Sequence, residues 1–328
     1  MSWKVETWCK AWPMREPFAI SRGVKNDQPT IQVRLTDSKG NAGRGEACGI
    51  TYQGETPESM RREIENVSAA FKGGITREGL LDILPAGGAR FALDSALWDL
   101  ESKRDGTNPF AVAGVEAAPV VVDQTIGIRA LADYETAARK SAKHAILKLK
   151  VDASDPIACI ANARRGAPES RFIVDPNQSW TVEMVKALGP RLKELGVALL
   201  EQPIALGEEA GLDGHVPPVP LCADELIDTA ADLAKAHGRF QYVNIKLDKC
   251  GGLTAGLALA DLAEAQGFGL MVGCMAGSSL AMAPGMVIAQ RCAFVDLDGP
   301  LLHSEDHEHG FTYIDGVVAQ PYNPKLWG

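Results

Sequence analysis

Residues 145–150 read AILKLK, a short apolar run that ends in charged side chains. The same kind of run recurs along the chain as FIVD at 172–175, ALLE at 198–201, LCAD at 221–224 and YVNIK at 242–246. Short apolar runs separated by Ala-rich amphipathic segments are typical of strands that alternate with helices. These stretches therefore predict repeated βα units and a parallel sheet.

Three further runs extend the series to eight, at 120–125, 269–273 and 293–296. The ends of the eight runs fall near 125, 150, 175, 201, 224, 246, 273 and 296. One strand and one helix thus recur roughly every 25 residues, which is a regular repeat. Eight successive βα units indicate a TIM barrel, an α/β fold whose functional residues lie at the C-terminal ends of the strands.

The chain before the barrel has a different pattern. Residues 3–12 and 29–37 read as strands, a third segment ends near Glu46, and residues 56–71 and 88–105 have helical periodicity. Strands followed by helices predict an α+β domain over residues 1–115, and the barrel domain is expected over 119–304. The tail, 305–328, contains a predicted hairpin at 311–318 that would return to the N-terminal domain.

Composition and charge exclude several classes of partner. The 328 residues are 46% hydrophobic and carry a net charge of -9, so a nucleic-acid partner is not expected and a small molecule is. No apolar stretch reaches the length of a membrane span, and the N-terminus lacks the apolar segment of a signal peptide. The seven scattered cysteines fit reduced thiols, so we expect a cytoplasmic protein that does not contact a membrane.

Polar residues follow the apolar runs in a pattern that is not random. Because the C-terminal ends of barrel strands meet at one mouth, these side chains should converge there. The residues concerned are Lys148, Lys150, Asp175, Asn177, Glu201, Asp224, Glu225, Lys246, Asp296 and Asp298.

Asp175, Glu201 and Asp224 end three consecutive strands and would offer three carboxylates side by side. No thiolate or imidazole that favours zinc accompanies them, and carboxylate oxygens are the ligands that Mg²⁺ prefers. The alternative is that each acid caps the helix that follows it. Three such acids in successive units favour a magnesium site.

Lys150 precedes this acidic set and Lys246 follows it. Strands two and six of an eight-stranded barrel are opposite each other, so one lysine could remove a proton and the other return it. Burial beside a second lysine and a divalent cation would lower the lysine pKa toward neutrality. Lys148 would contact a substrate carboxylate. Surface lysines with solvated ends are the alternative for 148 and 150, and Lys249 competes with Lys246 from a loop position.

Such a pair suits removal of the proton next to a carboxylate. The resulting dianionic enediolate forms only where positive charge stabilises it, and a metal ion that binds both carboxylate oxygens supplies that charge. The pattern therefore predicts a carboxylate substrate with an acidic C–H beside it.

The motifs resemble those of the enolase superfamily, in the subgroup with muconate cycloisomerases, succinylbenzoate synthases and dipeptide epimerases; a lysine base with Mg²⁺ is a known pairing in that superfamily. The matching stretches are Lys148-Leu149-Lys150, Asp175-Pro176-Asn177, Glu201-Gln202-Pro203, Ala223-Asp224-Glu225, residues 244–252 and the helix at 90–99. The resemblance implies a (β/α)7β barrel with an N-terminal capping domain, Lys150 and Lys246 as the acid/base pair, and Mg²⁺ on Asp175, Glu201 and Asp224, with Asn177 and Glu225 beside them.

Two further details of the resemblance concern the substrate. Asp296-Leu297-Asp298 is similar to the motif by which dipeptide epimerases bind a substrate ammonium group; a turn cap is the alternative. Arg22 lies in a segment that resembles a mobile loop of L-Ala-D/L-Glu epimerases, where an arginine meets the glutamate side chain, although a loop arginine can also be simply solvated. Thr125, Cys274 and Met275 are expected to line the rest of the pocket.

These features predict an isomerase that epimerises a dipeptide, with Ala-Glu from cell-wall peptides as the expected substrate. The same site could instead serve N-acylamino-acid racemisation, succinylbenzoate synthesis or cycloisomerisation, and a barrel that only binds a ligand is the third alternative. The His303, His307 and His309 cluster could hold a transition metal, but the segment reads as an exposed connection. The resemblance also implies a homo-oligomer.

Overall fold

The computed structural model describes residues 3–20 and 23–328. The strands are β1 (Lys4–Ile20), β2 (Gly23–Thr36), β3 (Ala42–Ala47), β4 (Val120–Val121), β5 (Gln124–Ile126), β6 (Ile146–Lys150), β7 (Arg171–Asp175), β8 (Val197–Glu201), β9 (Leu221–Ala223), β10 (Tyr242–Lys246), β11 (Gly269–Gly273), β12 (Phe294–Asp296), β13 (Tyr313–Ile314) and β14 (Val317–Val318). The helices are α1 (Pro57–Val67), α2 (Arg77–Ile83), α3 (Gly88–Asp105), α4 (Pro109–Val112), α5 (Asp133–Lys140), α6 (Pro156–Gly166), α7 (Val182–Glu194), α8 (Leu233–Ala236), α9 (Leu247–Cys250), α10 (Leu253–Ala265), α11 (Ser279–Ala289) and α12 (Gly299–Leu302). No helix in these described residues is both long and apolar enough to cross a membrane.

The N-terminal sheet is a three-stranded antiparallel meander, β1-β2-β3. Its first hairpin is longer than the predicted strands at 3–12 and 29–37, because β1 and β2 stay paired as far as Ile20 and Gly23, past an irregularity after Pro13. Residues 13–20 contain two prolines and two charged residues, so the sequence does not predict this part of the strand. The prolines are tolerated because β1 is an edge strand, where a missing backbone N–H breaks no ladder.

Helix α3 packs directly on this sheet. A Cβ at Gly43 would lie 2.1 Å from the Ala96 carbonyl oxygen, and a Cβ at Gly45 would lie 2.0 Å from that of Ala92. Only glycine permits this close approach of strand and helix backbones. The capping domain therefore owes its tight helix–sheet contact to two glycines of β3.

The barrel is an eight-stranded parallel sheet in the order β12-β11-β10-β9-β8-β7-β6-β5. The two end strands approach each other, since the Asp123 N–H donates to the Val295 carbonyl at 3.0 Å and the Thr125 N–H donates to the Asp298 carboxylate at 2.7 Å. Helices cover the outside of the sheet, although the connection after β8 holds only a 3₁₀ turn, Glu209–Leu212. The predicted (β/α)7β barrel with an N-terminal capping domain is confirmed.

The prediction of a single strand over residues 120–125 is wrong, because the segment divides into two short strands, β4 and β5. Val120 and Val121 pair instead with β14 in a small sheet, β13-β14-β4, and the barrel strand starts only at Gln124. The C-terminal hairpin needs a partner for its backbone hydrogen bonds, and the chain entering the barrel supplies it.

The C-terminal tail contacts the capping domain. The Trp327 indole N–H donates to the Ser95 carbonyl at 2.9 Å, and the Gly328 N–H donates to the Asp99 carboxylate at 2.7 Å. Ser95 and Asp99 lie one turn apart on α3. These contacts support the assignment of residues 305–328 to the capping domain, which we keep as a proposal together with the boundaries 1–115 and 119–304.

Candidate active site

The site is built on an apolar layer inside the barrel. This layer consists of Ile146, Ile173, Leu199, Cys222, Met271 and Phe294, all buried. Side chains alternate along a strand, so the residue two positions further on points to the same interior, one level closer to the mouth. Those next residues are Lys148, Asp175, Glu201, Asp224, Gly273 and Asp296. The strand period alone thus places a charged layer directly above an apolar one.

A cavity of about 370 Å³ opens above this layer, between the barrel mouth and the β1–β2 hairpin. Most of the predicted site residues line it: Lys150, Lys246, Lys148, Asp224, Asn177, Glu225, Thr125, Cys274, Met275, Asp296 and Asp298. Asp175 and Glu201 are buried beneath, with relative exposures of 1% and 0%. Arg22 lies outside the described residues, so its predicted role stays a prediction.

Lys148 lies at the centre of the charged layer. Its Nζ is 2.6 Å from Asp296, 2.7 Å from Glu201 and 3.2 Å from Asp175. Burial acts to lower the pKa of Lys148, but the three carboxylates outweigh burial and hold that pKa well above its ordinary value. The alternative of a solvated surface lysine is wrong, because the side chain is 1% exposed.

Lys150 and Lys246 approach the cavity from opposite sides of the barrel. Lys150 forms an ion pair with Asp175, and Lys246 Nζ lies 2.6 Å from Asp224. The predicted depression of the lysine pKa presupposes a divalent cation in the site, so for Lys246 it stays a prediction. Burial lowers its pKa, but the Asp224 carboxylate outweighs burial and holds that pKa well above the ordinary value. The depression would require the Asp224 charge to be neutralised by another cation.

The three carboxylates proposed for a metal fit a divalent cation by their chemistry. Glu201 Oε1 accepts from the Asn244 amide at 2.9 Å, whereas Oε2 accepts no well-directed hydrogen bond although Lys148 Nζ lies nearby. Burial raises the pKa of Glu201 to about 7. Asp175, Glu201 and Asp224 are hard oxygen donors, which suits Mg²⁺. In this arrangement lysine ammonium groups pair with all three acids, and the acid oxygens do not all lie within 4.8 Å of one another.

Helix capping does not explain these acids. The helical turns that follow Asp175, Glu201 and Asp224 have other N-cap residues, which are Thr181, Glu208 and Thr229. The Asp175 carboxylate accepts instead from the backbone N–H of Asn177 at 2.9 Å. Asp298 stands at the N-cap position of α12, but its side chain makes no cap hydrogen bond. It holds the Thr125 N–H of the first barrel strand instead.

Asp296 and Asp298 form a compact acidic group with Cys274, whose possible ligand atoms all lie within 4.8 Å of one another. Beneath them is Asp123, a fully buried residue that the sequence analysis passed over; neither of its carboxylate oxygens has a hydrogen-bond partner among the described residues. Burial, and then the charges of Asp296 and Asp298, raise the pKa of Asp123 well above its ordinary value. This end of the cavity therefore favours a positively charged group.

Two residues of α9, directly after Lys246, contribute to the surroundings of the site. Lys249 follows the strand as predicted, but it lies in the helical turn α9, is 1% exposed and places its Nζ 3.0 Å from Asp224 Oδ1. Asp248, which is not among the predicted site residues, accepts hydrogen bonds from the backbone N–H groups of Cys48 and Gly49, both at 2.8 Å. It ties the barrel beside Lys246 to the capping-domain loop that carries Tyr52 into the cavity.

The histidine segment after the last strand is also different from the prediction of an exposed connection. His303 is fully buried and stacks on Trp12, with ring centroids 6.2 Å apart, and His307 contacts the same ring edge-on at 5.0 Å. Among the described residues no metal-binding group includes these histidines. Their role is to pack the end of the barrel against the first strand of the capping domain.

Comparison with known proteins agrees with this geometry. The N-terminal domain of the mandelate racemase and muconate lactonizing enzymes matches residues 2–113, and the enolase C-terminal domain-like family matches residues 131–324. The chain belongs to the enolase superfamily. The resemblance of the motifs to this superfamily is thereby confirmed.

Among the superfamily relatives, the L-Ala-D/L-Glu epimerase of Escherichia coli K12 is 38% identical over 96% of this chain and 98% of its own. An N-acetyl-D-glutamate racemase of Pseudoalteromonas sp. is 43% identical over 76% of this chain and 79% of its own. Both relatives are named as racemases or epimerases, which are isomerases.

Solved structures of the superfamily match over nearly the whole chain. An enolase family member from Agrobacterium tumefaciens with homology to dipeptide epimerases, bound to sodium and L-Ala-L-Glu, has a TM-score of 0.94 at 36% identity and covers 99% of this chain and 100% of its own. The dipeptide epimerase of Enterococcus faecalis V583, complexed with Mg and L-Leu-L-Tyr, has a TM-score of 0.90 at 25% identity and covers 98% and 97%.

Proposed function

We propose that this protein is a magnesium-dependent dipeptide epimerase that inverts the α-carbon of the C-terminal residue, with L-Ala-D/L-Glu as its substrate. The observation that carries the proposal is the placement of two lysines. Lys150 ends β6 and Lys246 ends β10, four strands apart in the eight-stranded barrel, and both line one cavity. A planar reacting carbon between them has one ammonium or amine group on each face.

In the proposed reaction a neutral lysine takes the α-proton onto its Nζ, and the ammonium group of the other lysine gives a proton to the opposite face. The C–H bond broken and the C–H bond formed lie on opposite sides of the carbon, so its configuration inverts. Each lysine changes roles between the L-to-D and D-to-L directions. Lys148, held among three carboxylates, is fixed in position to contact the substrate carboxylate.

Asp175, Glu201 and Asp224 would hold the metal. Mg²⁺ bound there supplies positive charge that stabilises the negative charge developing on the substrate carboxylate. Metal binding would also engage Asp224, the group that raises the pKa of Lys246, and so make a neutral Lys246 easier to form.

Asp296 and Asp298 are proposed to bind the substrate ammonium group at the far end of the cavity. Thr125 fixes Asp298 through its backbone N–H, while Cys274 and Met275 complete the wall. Asn177 and Glu225 flank the metal-binding acids. Arg22, outside the described residues, is retained as a proposed contact for an acidic substrate side chain.

N-acylamino-acid racemisation is the second candidate, and the relative named N-acetyl-D-glutamate racemase favours it. The two functions share the lysines and the metal site and differ in the group that Asp296 and Asp298 meet. A dipeptide presents an ammonium there, whereas an N-acyl group is uncharged. The cluster of Asp123, Asp296 and Asp298 favours the charged group.

Proton exchange in D₂O with Mg²⁺ tests the proposal. Wild-type protein is expected to introduce deuterium at the glutamyl α-carbon of L-Ala-L-Glu and to form L-Ala-D-Glu, as read by proton NMR and mass spectrometry. Lys150→Ala and Lys246→Ala should each reduce epimerisation by about 10²- to 10⁴-fold. Lys186→Ala, an exposed lysine on α7, is the control and should behave as wild type.

Exchange with N-acetyl-L-glutamate but not with L-Ala-L-Glu would replace the dipeptide proposal with the N-acyl alternative. Absence of exchange with both would redirect the search to succinylbenzoate synthesis and cycloisomerisation, and a barrel inactive in these as well would be a binding protein. We propose that the protein acts in the metabolism of cell-wall peptides. We also propose that it is cytoplasmic, in keeping with its seven free cysteines. The homo-oligomer implied by the resemblance stays a prediction.

A further inference from the structure

One wall of the cavity comes from the capping domain and carries a cation that the proposed mechanism does not use. Lys25 is paired with Phe18 across the β1–β2 hairpin, and both residues line the cavity together with Ile20. The antiparallel register therefore places a lysine and two apolar side chains on the wall opposite the barrel mouth.

The hydrogen-bond partner of Lys25 is neutral. Its Nζ donates to Gln28 Oε1 at 2.9 Å. Gln28 is fully buried and uses its own Nε2 to donate to the Pro29 carbonyl at 3.0 Å, which leaves its oxygen toward the lysine. An ammonium group has three donors, and within residues 3–20 and 23–328 Gln28 is the one acceptor that Lys25 meets, which leaves two donors for a ligand.

Lys25 differs in this respect from the other lysines of the cavity. Lys148, Lys150 and Lys246 each form an ion pair with a carboxylate, whereas no acid among residues 3–20 and 23–328 forms one with Lys25. Burial lowers the pKa of Lys25, and the charges of Lys150 and Lys246 lower it further. A partly buried ammonium without a counter-ion is costly, and an anionic ligand group would relieve that cost.

The substrate of the proposed function has one anionic group that the barrel does not accommodate. The carboxylate next to the reacting carbon is proposed to contact Lys148 and the metal held by the three acids. The ammonium group is proposed to contact Asp296 and Asp298. The glutamyl side chain remains, and two apolar residues beside one unpaired lysine match its methylene groups and terminal carboxylate.

We propose that Lys25 binds the side-chain carboxylate of the substrate's glutamyl residue, the same group for which Arg22 is retained as a contact, and that Lys25 determines the preference for an acidic residue at the reacting position. The inference rests on the proposed function, but it holds equally for a dipeptide and for an N-acylglutamate, since both carry the same side chain. Lys25 is then a specificity-determining residue outside the barrel.

The test compares Glu with its uncharged isostere Gln. Proton exchange is measured for L-Ala-L-Glu and L-Ala-L-Gln, and for the two N-acetyl amino acids, with wild type and Lys25→Met. The charge-assisted contact predicts that Lys25→Met lowers kcat/KM for the Glu substrate by about 10- to 100-fold, mainly through KM, and leaves the Gln substrate nearly unchanged. Lys25→Arg should keep the preference for Glu. Lys72→Met, an exposed lysine of the same domain, is the matched control.

Equal losses for Glu and Gln would overturn the proposal, because they would indicate a general role in shaping the cavity. If Lys25→Met keeps the preference for Glu and Arg22→Met loses it, the proposal is overturned and Arg22 is the residue that determines the preference. Calorimetric binding of the same ligands in Mg²⁺ separates this inference from the proposed function. If the protein binds the Glu ligand selectively and needs Lys25 to do so, but exchanges no proton, the subsite is supported and the epimerase is refuted. If the wild type prefers Glu neither in calorimetric binding nor in proton exchange, the subsite is refuted.

Discussion

Asp296 and Asp298 stand two positions apart, yet their surroundings give them opposite acid–base behaviour. Burial acts to raise the pKa of Asp296, but Lys148 outweighs it and the pKa lies below its ordinary value. Asp298 has no such lysine contact, and burial followed by the charge of Asp296 raises its pKa to about 7. One aspartate is thus ionised throughout the neutral range, while the other titrates within it.

This difference predicts a pH-dependent KM for a dipeptide. Because the pKa of Asp298 is raised, its carboxyl group is protonated below about pH 7 and then lacks the charge that attracts an ammonium group. A single such titration should raise KM for L-Ala-L-Glu by about tenfold between pH 8 and pH 6. Steady-state epimerisation across this range, read by polarimetry or NMR, measures it.

Asp298→Asn is the matched variant, since the amide keeps the shape and does not titrate. Its KM should be high and independent of pH in this window. A wild-type KM that is constant from pH 6 to pH 8 would show that the charge of Asp298 does not contribute to binding.

At the scale of elements, Asp248 joins the start of α9 to the loop after β3. Asp248→Ala would leave the buried N–H groups of Cys48 and Gly49 without an acceptor, at a cost of about 2 to 4 kcal/mol in the free energy of unfolding. Since the same loop carries Thr51 and Tyr52 into the cavity, KM should also rise. Urea denaturation and epimerisation kinetics measure the two effects.

Asp248→Asn retains one acceptor oxygen and should recover much of the stability. If the alanine variant were as stable as wild type, solvent would have to satisfy both N–H groups, and the proposed coupling of the loop to the barrel would be incorrect.

Gly252 is a second junction between the two parts of the fold. It adopts a φ of 118°, and a Cβ there would lie 2.5 Å from a carboxylate oxygen of Asp94, which also accepts the Thr254 N–H at 3.1 Å. Gly252→Ala should therefore destabilise the protein by about 2 to 5 kcal/mol through backbone strain and overpacking. Thermal unfolding gives the change.

Gly267 provides the control, because it also has a positive φ, 84°, but a Cβ there meets nothing within 4 Å. Gly267→Ala should lose only about 1 kcal/mol. Similar losses at the two glycines would mean that contact with Asp94 adds nothing to the strain.

At the scale of the whole molecule, the metal site predicts that stability depends on Mg²⁺. A cation that binds only the folded chain stabilises it, by about 2.7 kcal/mol at a concentration one hundred times Kd. Thermal unfolding in Mg²⁺ should therefore occur several degrees above unfolding in EDTA at equal ionic strength. Glu201→Gln removes one proposed ligand and should lose most of this increase. An equal increase in both proteins would place the bound metal elsewhere.

The strand pattern was sufficient to predict most of the site. The recurrence of apolar runs that end in charged residues implied that the charged ends meet at one mouth, and alternation along a strand is consistent with Lys148 lying one level above Ile146. These features are visible in the sequence because they depend on neighbours one or two positions away. The same locality explains why α3 was predicted with its observed bounds.

The tertiary structure decided which partners these residues contact. Lys148 is engaged by carboxylates from three other strands, Lys249 contacts Asp224 from a helical turn, and Lys25 reaches the cavity only because the first hairpin continues past two prolines. Each contact joins segments that are far apart in the chain, and closure of the barrel and docking of the cap determine which of them meet. The sequence by itself determined the kinds of side chain at the barrel mouth, and only the folded chain decided which of them are already neutralised and which, like Lys25, remain available to a ligand.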